Sequence, residues 1–235
     1  MIVIRTLILL FQFDFGKVHF MVLNGQLAEG VVKYDCSFEQ RDLSPVVLTS
    51  IDDLDYWRQV FFDHDLIGQD PNRYGGFGFG NLSKRLDPRF GRFIITATQT
   101  SGLSELLPAE HYSVIEDHEI ESNSLTAYGH QPPSSEALTH AAIYEADFSI
   151  RAVFHAHHPV IWQATEGLAI PATRPNVAYG TPQMAQEMTE LLIRTNAREL
   201  GIISMLGHQD GVITFGETTE ETGQTMLDYL DRSSS

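Results

Sequence analysis

Three histidines in this chain of 235 residues have the types and spacing of ligands for a divalent metal ion. His155 and His157 lie two apart in an apolar stretch that is typical of a buried strand, and side chains two apart on a strand point to the same face. His208 lies in a polar turn between two predicted strands. Imidazole nitrogen suits zinc and similar ions, and three protein ligands leave one position open for a substrate.

Other interpretations of these histidines stay open at this point. An H-x-H pair is also typical of packed or hydrogen-bonded structural histidines. His158 is expected to point to the opposite face of a regular strand and not to be a ligand. Five further histidines have no supporting context and are expected to be surface or structural residues: His19, His64, His111, His118 and His130.

A carboxylate and two serines precede a predicted helix upstream of the histidine pair. In Pro132-Pro-Ser-Ser-Glu136 the prolines forbid helix before them, and Ser134 is a suitable N-cap. Small hydroxyls and N–H groups at a helix N-terminus also bind phosphate or carboxylate groups, so capping and anion binding are both open for Ser134 and Ser135. Glu136 is suited to carrying a proton beside a carbonyl that a metal ion polarises.

Two segments rich in small residues could let a ligand approach the backbone closely. Residues 74–83 are dense in glycine but contain neither G-x-G-x-x-G nor Gly-Lys-Ser/Thr, which excludes a nucleotide fingerprint; a set of tight turns is the alternative. Residues 93–98 are predicted to form a strand that runs into a small polar turn at 98–102.

The remaining elements follow from apolar periodicity and capping residues. Ser50 is expected to cap a helix that has three aspartates in its first turn and that Gly68 stops. Helices are also predicted at 181–196 and 219–230, and strands at 150–157, 202–206 and 212–215. Interleaved strands and helices imply a layered α/β or α+β domain.

The chain length favours one large domain. We expect a partly irregular N-terminal extension over residues 1–49 and the main domain over residues 50–235. The apolar run at 7–11 is too short to span a bilayer. Three alternatives stay open for residues 1–20: a weak signal peptide, an extra strand, or a start codon assigned upstream of Met21.

Composition argues against two classes of partner. Fifteen basic residues against 31 acidic ones give a formal net charge of −16. Such a surface repels phosphate backbones and anionic lipid, so we expect neither nucleic acid nor membrane as a partner.

The single cysteine, Cys36, excludes an intrachain disulfide and is expected to be a small buried hydrophobe. The cytoplasm is therefore the expected compartment.

The ordered set of motifs resembles the class II aldolase/adducin family over roughly residues 50–232. The motifs that carry the resemblance are Gly80-Asn-Leu-Ser83, the strand ending in Thr-Ser-Gly102, Pro133-Ser-Ser-Glu136 with His140 a helical turn later, His155-Ala-His157, and His208. Each motif is short, but their order, and the spacing from Glu136 to His155, match the family.

The resemblance implies a fold, an assembly and a set of residue roles. The fold is a three-layer α/β/α sandwich around a mostly antiparallel central sheet, and the assembly is a homotetramer with active sites between subunits. His155, His157 and His208 would hold a divalent ion, most typically Zn²⁺, and Glu136 would be the catalytic proton shuttle. The residues implied to bind a substrate phosphate are Asn81, Ser101, Gly102, Ser134 and Ser135.

The chain departs from the family at two places. His208 lies in His-Gln-Asp-Gly, with two residues inserted before the glycine, in place of the compact His-Gly. After Ile170-Pro-Ala the sugar-phosphate aldolases carry a tyrosine that protonates the leaving aldehyde, and here Pro175 lies near that position. Tyr179 is the nearest phenol without a clear match, and Arg174 is either an anion-binding residue or a plain surface arginine.

The sequence therefore predicts metal chemistry more firmly than any one aldol reaction. The leading hypothesis is a metal-dependent lyase of the aldolase type, which acts through an enediolate on a small phosphorylated or carboxylated ketose-like substrate. Two alternatives stay open: an epimerase or dehydratase of a sugar phosphate at the same metal site, and a non-catalytic interaction module of the adducin type.

Overall fold

The structure, a computed structural model, describes residues 32–87 and 91–234, with the backbone of two short strands before them. Its strands are β1 (Phe13–Asp14), β2 (Lys17–Val18), β3 (Asp35–Gln40), β4 (Gly68–Gln69), β5 (Gly78–Phe79), β6 (Asn81–Arg85), β7 (Phe93–Thr96), β8 (Tyr112–Glu119), β9 (Ser124–Gly129), β10 (Ala152–His157), β11 (Ile202–Ser204) and β12 (Gly211–Gly216). Its α-helices are α1 (Pro45–Thr49), α2 (Asp52–Asp63), α3 (Ala137–Ala146), α4 (Pro159–Gln163), α5 (Pro182–Arg194), α6 (Ala197–Leu200) and α7 (Thr219–Ser233).

One large sheet organises the described residues. Its strand order is β1-β2-β3-β9-β8-β7-β6-β10-β12-β11, while β4 and β5 form a separate hairpin. Within the sheet, β3 pairs with β9 in parallel, and the other described pairings are antiparallel. The central strands β7 and β10 are buried along their whole length because helices cover both faces of the sheet.

Side-chain alternation along the strands divides the core into two layers. Val153 of β10 packs in a cluster with residues of α3, α5 and α6. Its neighbours Ala152 and Phe154 pack in the opposite cluster, with residues of α2, α4 and α7. The predicted three-layer α/β/α sandwich around a mostly antiparallel sheet is confirmed by this arrangement.

The segment before residue 50 contributes to the same sheet and core. Strand β3 pairs with β9 over six residues, and Val32, Tyr34 and Cys36 pack with the α3 side of the core. Burial raises the pKa of the Cys36 thiol to about 12, as suits a small buried hydrophobe. Most of residues 1–20 lies outside the described residues.

The prediction that Ser50 caps α2 is wrong. Ser50 follows directly on α1, and its hydroxyl donates to the Val47 carbonyl at 2.7 Å. The residue before α2 is Ile51, which makes no side-chain capping bond, although Asp52, Asp53 and Asp55 occupy the first turn as predicted. The helix ends at Asp63, before the predicted stop. Among the described residues, no helix is both long and apolar enough to cross a membrane.

The contact between α2 and α7 depends on a glycine. A methyl group built on Gly223 would lie 2.1 to 2.4 Å from ring atoms of Trp57, far inside van der Waals contact.

We predict that Gly223→Ala destabilises the fold, because overpacking costs about 1–3 kcal/mol and outweighs the gain of about 1 kcal/mol in helix propensity. Urea unfolding at fixed protein concentration measures the change. The neighbouring exposed Gln224→Ala is the control, and equal stability of the two variants would contradict the packing account.

Candidate metal centre

Strand β10 brings two of the predicted ligands together. His155 and His157 lie on the face that α3 covers, and both are buried, at 1% and 0% exposure. Their Nε2 atoms are 3.0 Å apart. The Nδ1 of His155 donates to the Val212 carbonyl on β12 at 3.1 Å, which leaves the Nε2 lone pair directed at the cluster.

The turn between β11 and β12 delivers the third histidine despite its two extra residues. His208 is buried at 2% exposure, and its backbone N–H donates to the Met205 carbonyl. The preceding Gly207 packs so closely on Val177 that a Cβ would lie 1.8 Å from the Val177 carbonyl oxygen, so this position accepts only glycine. The longer turn therefore still places an imidazole beside the strand pair.

The three side chains fit a divalent ion. One ligand atom from each histidine lies within 4.8 Å of the other two. A tetrahedral zinc ion with Zn–N bonds of about 2.0–2.1 Å holds its nitrogens about 3.3 Å apart, which small side-chain movements achieve from this arrangement. The ring of His208 lies 5.0 Å from that of His155 and 4.5 Å from that of His157, between centroids.

Burial also places the histidines in the protonation state that binds metal. Desolvation, reinforced by the neighbouring His208, lowers the pKa of both His155 and His157 well below 6.5. Both imidazoles are therefore neutral at physiological pH, and only the neutral form offers a lone pair to an ion.

Glu136 lies at the edge of the histidine cluster. It directly precedes α3 and is buried at 2% exposure. Its Oε2 accepts from the Thr139 hydroxyl at 2.8 Å, and its Oε1 lies 3.7 Å from Nδ1 of His208. A carboxylate in this position can reach both the metal centre and a molecule bound next to it.

The cluster opens through His155 into a cleft that contains most of the predicted anion-binding residues. The lining consists of Gly78, Phe79, Gly80, Asn81, Ala97, Thr98, Gln99, Ser101, Ser134, Ser135, Glu136 and His155. Asn81 lies opposite His155 in the β6–β10 register, and its buried Oδ1 has no hydrogen-bond partner among the described residues. An unsatisfied buried acceptor at a cleft is suited to a ligand hydroxyl or amide.

Gly102 lies apart from this lining. A Cβ at Gly102 would lie 2.6 Å from Oε1 of Gln69, so the residue serves a close contact between its turn and strand β4. His157 and His208 are likewise outside the lining.

The predicted N-cap role of Ser134 is wrong. Helix α3 begins at Ala137 after Glu136, which makes no side-chain capping bond. The backbone of Ser134 is held by the sheet instead: its N–H donates to the Thr96 carbonyl at 3.2 Å, and its own carbonyl accepts from the Tyr34 hydroxyl at 2.9 Å. These tertiary contacts keep Ser134 out of the helix and at the cleft.

A buried arginine beneath the Ser101 loop was not predicted. Arg58 of α2 is 1% exposed, and its guanidinium donates to the carbonyls of Thr100, Ser101, Leu103 and Ser104. It fixes the loop and places a positive charge behind the cleft, which favours an anion there. Position 58 lies four residues after Leu54 and three before Phe61, so its place on the buried helix face was visible in the periodicity.

Tyr179 and Arg174, which follow Ile170-Pro-Ala in the sequence, have different surroundings. The ring of Tyr179 stacks on His208, with centroids 4.5 Å apart and planes at 19°. Tyr179 therefore lies against the histidine cluster, which the sequence pattern did not establish. Arg174 is a surface arginine whose backbone N–H and guanidinium both donate to Glu187. His158 accepts from the Ile161 N–H at the start of α4 and is not one of the three clustered histidines.

Comparison with known proteins decides the family. The family described as the class II aldolase and adducin N-terminal domain matches residues 71–232. The chain belongs to this family. The predicted family resemblance is confirmed, and residues 32–70 extend the sheet and the α2 layer ahead of the matched region.

Solved structures of low sequence identity share the fold. YgbL from Escherichia coli, for which aldolase, epimerase and decarboxylase activities are candidates, is 20% identical, with a TM-score of 0.59 over 80% of this chain and 88% of that one. An L-fuculose 1-phosphate aldolase is 18% identical, with a TM-score of 0.56 over 82% and 84%. A sugar-phosphate aldolase from Thermotoga maritima is 18% identical, with a TM-score of 0.53 over 79% and 92%. At these levels of sequence identity, the structural similarity establishes only that the chains share a fold.

A fourth buried histidine lies on α3. His140 is 0% exposed, and its Nδ1 lies 2.7 Å from the Ser83 hydroxyl, which also contacts the Tyr144 hydroxyl at 2.8 Å. Desolvation lowers the pKa of His140 from 6.5 to about 3. The residue is thus a neutral hydrogen-bonding group that ties β6 to α3.

This pKa predicts a pH dependence of stability. Between pH 6.5 and about 3 the unfolded chain protonates His140 while the folded chain does not, so the free energy of unfolding falls as the pH falls. In protein kept metal-free with a chelator, we expect His140→Asn to reduce this slope by up to about 1.4 kcal/mol per pH unit, because asparagine can keep the Ser83 contact without taking up a proton. Urea unfolding between pH 4.5 and 6.5 measures it, and identical slopes for the two proteins would contradict the assignment.

Proposed function

We propose that this protein is a metal-dependent lyase that makes or breaks a C–C bond next to the carbonyl of a small, anionic, sugar-like substrate. His155, His157 and His208 hold the ion, with zinc the metal that best suits three imidazoles. The observation that carries the proposal is the meeting of three buried histidines with Glu136 at one end of a polar cleft. Family membership supports the same chemistry.

The cleft supports an anionic group on the substrate. Ser101, Ser134 and Ser135 line it together with Asn81, and small hydroxyls and amides are suited to phosphate or carboxylate oxygens. Arg58 adds a buried positive charge behind the loop of Ser101, which acts locally in a chain with a formal net charge of −16. The substrate's anionic end would therefore lie at these serines and its carbonyl next to His155.

Glu136 is the proton carrier of the proposed reaction. An ion bound by the three histidines would supply Lewis-acid polarisation of the substrate carbonyl. In the cleavage direction, Glu136 accepts the proton from the hydroxyl of the leaving fragment as the C–C bond breaks and an aldehyde departs. Glu136 then returns a proton to the carbon left next to the carbonyl. The bond from the Thr139 hydroxyl holds the carboxylate in place for this transfer.

A second reaction at the same site is epimerisation or dehydration of a sugar phosphate. The observation that favours it is the loop in which Pro175 replaces the expected tyrosine, while the phenol of Tyr179 stacks on His208 in the same chain. These reactions also need a proton carrier beside a polarised carbonyl, but they release no aldehyde and so need no residue of a second subunit to serve a leaving fragment. Assembly as a homotetramer is part of the lyase proposal and follows from the family resemblance alone.

Two variants test the proposed chemistry. We expect His155→Ala/His157→Ala to lose the bound metal, because it removes two of three ligands, whereas His64→Ala/His130→Ala removes two surface histidines and should keep it. We expect Glu136→Gln to retain the metal and to lose about 10²- to 10⁴-fold in kcat. Metal analysis gives the stoichiometry, and assays on ketose phosphates and their unphosphorylated analogues give the rates.

Each outcome has a definite meaning. Equal metal content in the two double variants would overturn the site. Unchanged activity of Glu136→Gln would overturn the proton carrier, whereas a parent protein inactive on every substrate would favour a non-catalytic module. Activity confined to unphosphorylated substrates would overturn the phosphate role of the serines, and isomerisation without an aldehyde product would favour the second reaction.

A further inference from the structure

Asp210, one of the two extra residues after His208, makes a contact outside its own turn. Its carboxylate is 9% exposed, and its Oδ2 accepts from the Tyr74 hydroxyl at 2.8 Å, across 136 positions of the chain. Its backbone is left-handed, with φ of 60°, a conformation that aspartate adopts more readily than most residues. The extra residue thus turns its side chain towards the glycine-rich segment.

Tyr74 contacts a second ligand at the same time. Its ring lies edge-on to the ring of His157, with centroids 4.7 Å apart and planes at 67°. Its own backbone is left-handed, with φ of 47°. Phe79 packs against both rings, at 5.1 Å from Tyr74 and 5.7 Å from His157. One side chain therefore touches the His157 imidazole and is bonded to the turn that carries His208.

Arg73 completes the charge balance of this contact. Its guanidinium donates to the Tyr74 hydroxyl at 2.8 Å and to the His157 carbonyl at 3.4 Å, and it lies over the Phe79 ring. A cation next to the half-buried Asp210–Tyr74 pair reduces the cost of holding the carboxylate away from water. The four side chains thus connect the segment 73–79 to both sides of the metal centre.

We propose that Tyr74 and Asp210 form a clamp that positions His208 relative to His157 and thereby sets the metal affinity. This inference rests on the proposed metal site and extends it to residues outside the ligand set. The clamp residues are positioning residues and contact no substrate. Partners that orient ligands in this way typically change metal affinity by 10- to 100-fold when they are removed.

The clamp is tested by metal affinity in variants that keep the ring packing. Tyr74→Phe retains the contact with His157 but loses the hydroxyl, and Asp210→Ala loses the acceptor. We expect each to weaken Zn²⁺ binding by about 10- to 100-fold in competition with a chelator. The double variant should bind Zn²⁺ about as tightly as the weaker-binding single variant, because both changes remove the same interaction. Asp210→Asn keeps an oxygen acceptor and the left-handed backbone, and it should stay within about 3-fold of the parent protein.

Two further measurements separate a positioning role from a structural one. Co²⁺ bound to the parent protein reports ligand geometry by its visible absorption, and we expect that spectrum to change in Tyr74→Phe. Tyr56→Phe, which alters an exposed tyrosine, is the matched control and should change neither spectrum nor affinity. Lower thermal stability of metal-free Tyr74→Phe with unchanged affinity and spectrum would overturn the clamp. Failure of the parent protein to bind Zn²⁺ would overturn the proposed metal site, and the clamp with it.

Discussion

Burial of neutral imidazoles on the inner face of β10 is the constraint on which the rest of the site depends. A charged histidine there would lose its hydration without an opposite charge to replace it, so burial keeps His155 and His157 neutral. A neutral imidazole still needs partners for two ring nitrogens. The Val212 carbonyl satisfies Nδ1 of His155 and directs Nε2 towards the other histidines. Pairing of β10 with β12 therefore selects the nitrogen that faces an ion.

The neighbouring elements are arranged around that face. Strand β6 places Asn81 opposite His155, and the segment before α3 places Glu136 beside His208. The β11–β12 turn brings in His208 from the far side of β12. The sheet thus contributes one amide and two imidazoles, the start of α3 contributes a carboxylate, and the turn contributes the third imidazole. The cleft lies where they meet, so its donors are held by backbone that is itself hydrogen-bonded within the core.

Much of the fold and of the candidate site could be predicted from the sequence. The alternation in β10 predicted that His155 and His157 share a face, and the ordered motifs predicted the family and the layered fold, both of which are confirmed. The predictions that Ser50 and Ser134 are helix N-caps failed for one reason. Each serine forms hydrogen bonds with a preceding helix or with a distant segment, so it does not cap the helix that local preference assigned to it.

Contacts between distant segments were not predictable from a single sequence. The Tyr74–Asp210 bond joins loops with no shared pattern, and the stacking of Tyr179 on His208 depends on the path of the whole 170–180 segment. Arg58 is different, because its helical position marked it as buried, and only its carbonyl partners required the folded chain.

X-ray absorption of the zinc-loaded protein tests the central claim most directly, because it reports the ligands of the ion without reference to any reaction. Three buried imidazoles predict nitrogen or oxygen neighbours at about 2.0–2.1 Å with the multiple scattering of histidine rings. Most of that ring scattering should disappear from any zinc that remains in the protein with His155 and His157 replaced by alanine. A spectrum with oxygen ligands alone, or one that is unchanged by the two replacements, would contradict the claim.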